Sequence, residues 1–195
     1  MKRSVLFLLL LLSLTACGAE TPMPLEDLPE DYGLEQARAD GVVLHEDGDI
    51  ASGQEAWDAF TEAAAAGKAA SVRLGFYYTL DDPSRYDPEY YASVKDDYPL
   101  LFIQDLSFDG SSYTLSSMEE GELRTETWAY MVRYDDEAPE QARYDRSITW
   151  VLLNDEAVAS DPDMTYNKIM LSMASSRSGD AIPHRTVYQD YIYDT

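Results

Sequence analysis

Apart from carboxylates, this chain has few side chains that could carry covalent or acid–base chemistry. Its 195 residues include one cysteine and two histidines, against 37 aspartates and glutamates. The cysteine is Cys17, and the histidines are His45 and His184. Without a second thiol, the chain can form neither an internal disulfide nor a cysteine-based metal site. A general base would therefore have to be a histidine or a carboxylate.

None of the common catalytic motifs occurs. No serine lies in a G-x-S-x-G elbow or an S-x-x-K box, and no H-E-x-x-H or glycine-rich phosphate loop is present. Both histidines lie at predicted strand ends, where a structural role is expected. We therefore expect a non-catalytic domain without a cofactor. One alternative is an envelope hydrolase that uses a pair of carboxylates, together with His45, because two acids suffice for glycoside hydrolysis. The other is a structural subunit of a membrane complex.

Two acidic stretches were considered as calcium sites. Asp47 and Asp49 flank a glycine, but Ala51 stands where an EF-hand loop needs a third oxygen ligand. Three further acids follow in the stretch "LDDPSRYD", and their oxygens could hold Ca²⁺ only if that loop folds back on itself. The sequence therefore predicts no metal site.

Tyrosines are the most unusual feature of the composition. Fifteen are present, and several cluster around the irregular stretch 80–99. A tyrosine ring is flat and apolar with a polar tip, which suits recognition of sugars, peptides or protein surfaces. The alternative is that alternate tyrosines pack a sheet against its covering helix. The candidate ligand-binding residues are Tyr77, Asp81, Asp82, Tyr86, Asp87, Tyr90 and Tyr91.

The N-terminus resembles the signal of a bacterial lipoprotein precursor. Lys2 and Arg3 precede an apolar run over residues 5–14, which is too short to span a bilayer. Leu14-Thr15-Ala16-Cys17 resembles the lipobox of that family. The resemblance implies a diacylglyceryl group, with acyl chains such as palmitate, on the sulfur of Cys17 and cleavage just before it. An ordinary signal peptide with a chance cysteine is the alternative.

Such an anchor would place the protein at the extracytoplasmic face of the cell membrane. Two or three acyl chains on one residue give stable attachment, whereas a single chain does not. Loss of residues 1–16 would change the formal net charge from −23 to −25, because Lys2 and Arg3 leave with them. This charge argues against nucleic acid and against docking on anionic lipid through a basic patch. The expected partners are the membrane, through the anchor, and an envelope protein, peptide or glycan.

The remaining chain divides into an extended tether and one domain. Three prolines among scattered acids predict an extended tether over residues 17–40, and residues 41–195 are expected to form a single α+β domain. Its strands are predicted at 42–44, 71–79, 100–108, 111–118, 123–134, 148–154 and 184–192. Its helices are predicted from a capping box at Ser52 to Gly67 and from Asp161 to Gly179, with a short helix after Asp87. Short turns between consecutive strands predict an antiparallel meander with the two main helices on one face.

Part of the chain, over residues 41–134, also resembles a family of uncharacterised lipoproteins from Gram-positive bacteria. The similar elements are Gly67-Lys68, Val72-Arg73, Tyr78-Thr79, Asp82-Pro83 and the hairpin Leu106-Ser107-Phe108-Asp109-Gly110. The order around Gly48-Asp49 and the longer stretch before Leu100 depart from the family pattern. The resemblance implies a lipid anchor and a small α+β domain, and it carries over no catalytic residue.

The anchor prediction is tested by the substitution Cys17→Ser. Because the hydroxyl cannot receive the thioether-linked lipid, the variant is expected in the medium or as uncut precursor. Membrane fractionation and mass spectrometry of the mature chain measure both outcomes. Unchanged fractionation together with an unchanged mass would refute lipidation.

Overall fold

A computed structural model describes residues 22–140, 142–175 and 181–193. In these residues the fold is mixed α+β, with nine strands in two sheets and five α-helices. The strands are β1 Val43–Glu46, β2 Asp49–Ser52, β3 Ala70–Tyr78, β4 Leu100–Phe108, β5 Tyr113–Glu119, β6 Glu122–Trp128, β7 Tyr130–Glu137, β8 Arg146–Leu153 and β9 His184–Ile192. The helices are α1 Leu34–Ala39, α2 Gln54–Ala65, α3 Pro88–Val94, α4 Glu156–Ser160 and α5 Tyr166–Ser175, with 3-10 turns at Leu25–Asp27 and Pro83–Arg85.

The strands form a large and a small sheet rather than one continuous meander. The large sheet has the order β2-β1-β3-β4-β5-β6, and the small sheet has the order β7-β8-β9. All neighbours pair antiparallel except β1 and β3, which are parallel and are joined through α2. The predicted α+β class is confirmed, and the predicted antiparallel meander is found in the large sheet, where β3 to β6 pair consecutively. The last strand lies at an edge, as predicted.

Helix α2 lies in the main core between the two sheets. Trp57, Phe60 and Ala64 recur at helical spacing and are buried, as their pattern predicts. The Trp57 ring stacks on Tyr188 of β9 at 4.4 Å and meets Trp150 of β8 edge-on at 5.7 Å. Residues from both sheets belong to this one buried cluster. Burial of one helix therefore joins the two sheets.

The start of α2 differs from the predicted capping box. The residue before the helix is Gly53, with φ at +82°, and no side chain accepts a hydrogen bond at this cap. Ser52 instead ends β2. The turn at Asp47 and Gly48, both with positive φ, joins β1 to β2 rather than leading into the helix. β2 was not predicted, because its short alternation of polar and apolar residues follows directly on the acidic turn.

The predicted strand over residues 123–134 is two strands that belong to different sheets. β6 ends at Trp128 and β7 begins at Tyr130, so the chain changes sheet at Ala129. The Ala129 N–H donates to Asn154 Oδ1 at 2.9 Å, and Asn154 Nδ2 donates to the Thr127 carbonyl at 3.4 Å. This asparagine is remote in sequence, so a local pattern could not show the break.

Two hairpin turns connect β4, β5 and β6, in line with the short turns predicted between consecutive strands. Glu120 and Gly121, both with positive φ, form a two-residue turn between β5 and β6. The Asp109-Gly110 connection is longer, because the Asp109 carboxylate accepts from the backbone N–H groups of Ser111 and Ser112 at 2.8 and 2.9 Å. These bonds, with the Ser112 N–H first, lower the pKa of Asp109 to about 2.

Helices α4 and α5 cover the other face of the small sheet. Ile169 is fully buried there beside Val151, Leu153 and Tyr134. The helical spacing of Tyr166, Ile169, Met170 and Met173 predicts one apolar face, but Met170 and Met173 are 43% and 51% exposed, so this prediction is wrong in part. The start at Asp161 is also wrong: α4 precedes it, capped by Asp155, and α5 begins at Tyr166.

Residues 22–40 differ from the extended tether predicted for residues 17–40. Leu25 is 5% exposed and Ala37 of α1 is fully buried. Arg73, which is paired with Asp105 at 2.7 Å, also donates to the Met23 carbonyl at 2.6 Å. The prolines and acids favour an extended chain, so the tether prediction is wrong here. A few apolar side chains are enough to pack this segment against the outer face of the large sheet. None of the described helices has the length and apolar character needed to cross a bilayer.

The two glycines that flank α2 give a matched stability test. Both have positive φ, but a Cβ at Gly53 would lie 2.6 Å from the Val42 carbonyl oxygen and from Val43 Cα, whereas nothing lies within 4 Å of one at Gly67. We expect Gly67→Ala to cost about 1 kcal/mol, from the left-handed conformation alone. Gly53→Ala should cost about 1–2 kcal/mol more. Urea unfolding measures both, and equal losses would contradict the contact.

Candidate functional site

The irregular stretch 79–99 connects the end of β3 to the start of β4 and is called here the insertion. Aspartates cap both of its helical turns. The Asp82 carboxylate accepts from the Ser84 N–H at 2.8 Å, and Asp87 accepts from the N–H groups of Glu89 and Tyr90 at 2.9 and 3.1 Å. Pro88 lies in the first turn of α3, so the helix predicted after Asp87 is confirmed.

Three of the predicted tyrosines form one group on the insertion. The Tyr86 ring lies 6.1 Å from Tyr90 and 5.9 Å from Tyr91, and these three residues are called the tyrosine cluster. Tyr90 is 53% exposed, while Tyr86 and Tyr91 are half-buried. None of the three belongs to the buried clusters of the described residues. The tyrosine cluster therefore does not serve as core packing.

A cavity of about 340 Å³ adjoins this cluster. It is lined by Asp47, Gly48, Tyr78, Thr79, Asp81 and Tyr86. Asp47 accepts from the Thr79 N–H and hydroxyl, both at 2.7 Å, so it ties the β1–β2 turn to the insertion. The Asp81 N–H donates to the Tyr86 hydroxyl at 3.2 Å. The place of Asp47 in this wall was not predicted, because only the tertiary fold brings its turn to Thr79.

The remaining predicted site residues have local partners. Asp81 forms an ion pair with Arg85 at 2.6 Å. The pKa of Asp82 is lowered, first by its hydrogen bonds with Ser84. Tyr77 is half-buried on β3, and its carbonyl accepts from the Asp47 N–H. In the described part of the chain, no group of three or more His, Cys, Asp or Glu side chains is arranged to hold a metal ion. Cys17 lies outside the described residues.

A larger cavity of about 620 Å³ was not predicted. β4 begins at Leu100, yet its pairing with β5 covers only Gln104 to Phe108. Continued pairing would set Ile103 opposite Met118, but there β5 pairs with β6 alone. Pairing of the two strands stops at Gln104, and the cavity that lies there, between these strands and the N-terminal segment, is called the slot. Its lining residues are Leu25, Glu26, Leu28, Pro29, Glu30, Tyr32, Leu101, Phe102, Ile103, Gln104, Ser117, Met118, Glu119 and Glu120.

His45, the general base of the hydrolase alternative, lies in the core. It is 3% exposed, stacks on Phe76 at 5.0 Å and meets Tyr188 edge-on at 5.4 Å. Its Nε2 accepts from the Gln189 N–H at 3.4 Å. Burial lowers the pKa of His45 to about 4. His184 is half-buried, with Nδ1 2.9 Å from the Ile182 carbonyl oxygen.

Among the carboxylates of the described residues, Asp190 has a raised pKa. Burial is the main cause, and the neighbouring Asp49 adds to it. Neither residue lines the slot or the cavity beside the tyrosine cluster. A carboxylate pair for hydrolysis needs a cleft that admits a substrate. This pair therefore does not favour the hydrolase alternative.

Comparison with protein-family models, with curated proteins and with solved structures found no match to this chain. The resemblance to uncharacterised lipoproteins therefore stays a prediction, and any functional conclusion depends on the geometry described above.

The burial of His45 predicts a specific pH dependence of stability. In the unfolded chain its pKa is near 6.5, whereas in the folded protein it is about 4. As the pH falls between these values, the unfolded state binds the proton first, so stability is lost. The full difference amounts to about 3 kcal/mol. Urea unfolding from pH 7 to pH 4 should show a smaller loss for His45→Phe than for the wild type. An equal loss in both would show that carboxylates alone cause the acid sensitivity.

Proposed function

We propose that this chain is a lipid-anchored extracytoplasmic protein whose domain binds an envelope glycan, peptide or protein without transforming it. The lipobox-like Leu14-Thr15-Ala16-Cys17 supports the anchor. The absence of catalytic motifs from the sequence supports a binding role. The tyrosine cluster is the observation that carries the proposal, since these aromatic rings lie on the surface and not in the core.

The chemistry of the insertion suits recognition. Tyrosine offers contact area at a low cost in conformational entropy, together with a hydroxyl that can donate and accept. The exposed ion pair of Asp81 with Arg85 adds charged hydrogen-bonding groups beside Tyr86. Caps at Asp82 and Asp87 fix the backbone that presents the rings. A surface fixed in this way loses less entropy when a ligand binds.

The substitution Tyr90→Ala tests this surface, with Tyr193→Ala as its control. The two tyrosines are 53% and 52% exposed, but Tyr193 lies after β9 and outside the insertion. If Tyr90 contacts a ligand, its loss should weaken binding about tenfold or more, as for an aromatic hot spot. Co-sedimentation of the full-length detergent-solubilised protein with cell-envelope fragments from which membrane lipid has been extracted measures this. Equal binding by both variants, with unchanged circular dichroism, would overturn the proposal.

A further inference from the structure

The slot exposes a strand edge inside the large sheet. Residues Leu100 to Ile103 of β4 pair with β3 on one side, while the pairing on the other side begins only at Gln104. In an antiparallel strand, alternate residues direct their N–H and C=O groups to opposite sides. Two of these four residues therefore direct their backbone groups into the slot, where β5 no longer pairs with β4.

An open edge of this kind accepts an added strand. Extended peptides bind such edges through main-chain hydrogen bonds, while alternate side chains enter neighbouring pockets. Four residues of strand span about 13 Å. The slot measures about 620 Å³, within the size of ligand pockets in general. It therefore has room for a short extended segment.

The walls of the slot are apolar and its rim is acidic. Leu28, Leu101 and Ile103 are half-buried along it, and Phe102 and Met118 are 51% and 37% exposed. Four exposed glutamates also line it, namely Glu26, Glu30, Glu119 and Glu120. None of the four forms an ion pair with another described residue. Negative charge without close ion-pair partners around an apolar floor is complementary to a peptide that carries both basic and apolar side chains.

We infer that the slot binds an extended segment of a partner protein, in which basic and apolar residues alternate, by strand addition to residues 100–103 of β4. The apolar side chains contact Leu101, Ile103 and Met118, and the basic side chains reach the glutamates of the rim. This surface is separate from the tyrosine cluster, and the inference depends neither on the anchor nor on that cluster.

A second copy of this chain is a poorer occupant on charge grounds. The formal net charge is −23, and the rim itself is acidic, so two copies would bring like charges together. Exposed edge strands do pair with copies of themselves where nothing opposes it. The negative charge on the rim of the slot opposes such pairing between two copies of this chain.

The first experiment uses a synthetic probe, the peptide acetyl-Lys-Val-Lys-Leu-Lys-Val-Lys-amide, titrated into the full-length detergent-solubilised protein. One N-methylated form blocks the backbone N–H groups on one edge of the peptide, and a second form blocks those on the other edge. Strand addition uses a single edge, so one form should bind at least tenfold more weakly while the other retains its affinity. Equal affinities of the two forms would overturn the inference.

The second experiment tests the rim with a matched pair of double variants. Glu26→Lys with Glu119→Lys reverses two charges at the slot, and Glu62→Lys with Glu140→Lys reverses two exposed charges elsewhere. We expect at least a tenfold loss of affinity in the first pair and less than a threefold loss in the second. Equal losses would show general attraction to an acidic protein and would overturn the inference.

Hydrogen exchange locates the contact without any substitution. Peptide binding should slow exchange of amides within residues 100–103. Unchanged exchange there at saturating peptide would overturn the inference. A dimer in which these amides are already protected without peptide would also overturn it, because the occupant would then be a second copy.

Discussion

The stack of Trp57 on Tyr188 is the contact on which the arrangement of the two sheets depends. Trp57 belongs to α2, which packs on the inner face of the large sheet, whereas Tyr188 belongs to the small sheet. The Tyr188 hydroxyl donates to Gln54 Oε1 at 2.6 Å, so the same pair of elements is also joined by a hydrogen bond. Because aromatic rings bury large areas, this contact contributes to the stability of the interface. Because Gly53 has no side chain, α2 can begin close enough to β1 for Trp57 to make this contact.

Local signals in the sequence predicted the elements well, and tertiary contacts explain where they failed. The stripe of Trp57 and Phe60 and the cap at Asp87 each depend on neighbours within one turn, and both were predicted. The break at Ala129 depends on Asn154, and the docking of Leu25 depends on strands far along the chain. The slot depends on where pairing of β4 with β5 stops, which no local pattern encodes. The tyrosines were predicted as a set, but only the fold separates Tyr77 from the surface cluster.

Docking of the N-terminal segment alters the geometry of the proposed anchor. The eight residue steps from Cys17 to the buried Leu25 span at most about 28 Å when fully extended. An anchor at Cys17 would therefore hold the domain near the bilayer surface, where any anionic lipid would repel an acidic protein within about 8 Å at physiological ionic strength. The lipid and the net charge would then act in opposite directions on the position of the domain. Ligands of the domain would be those present within this short distance of the membrane.

The position of the slot restricts which partners could pair with an open strand edge. Edge strands at the margin of a sheet are usually blocked by charge, by proline or by short length. In the large sheet the open residues of β4 lie between the N-terminal segment and the β5–β6 hairpin, which restrict the approach of another flat sheet. The four glutamates of the rim also favour a partner that carries positive charge. A narrow, basic, extended segment would meet both requirements and a folded acidic protein would meet neither, so the proposed strand addition would be selective.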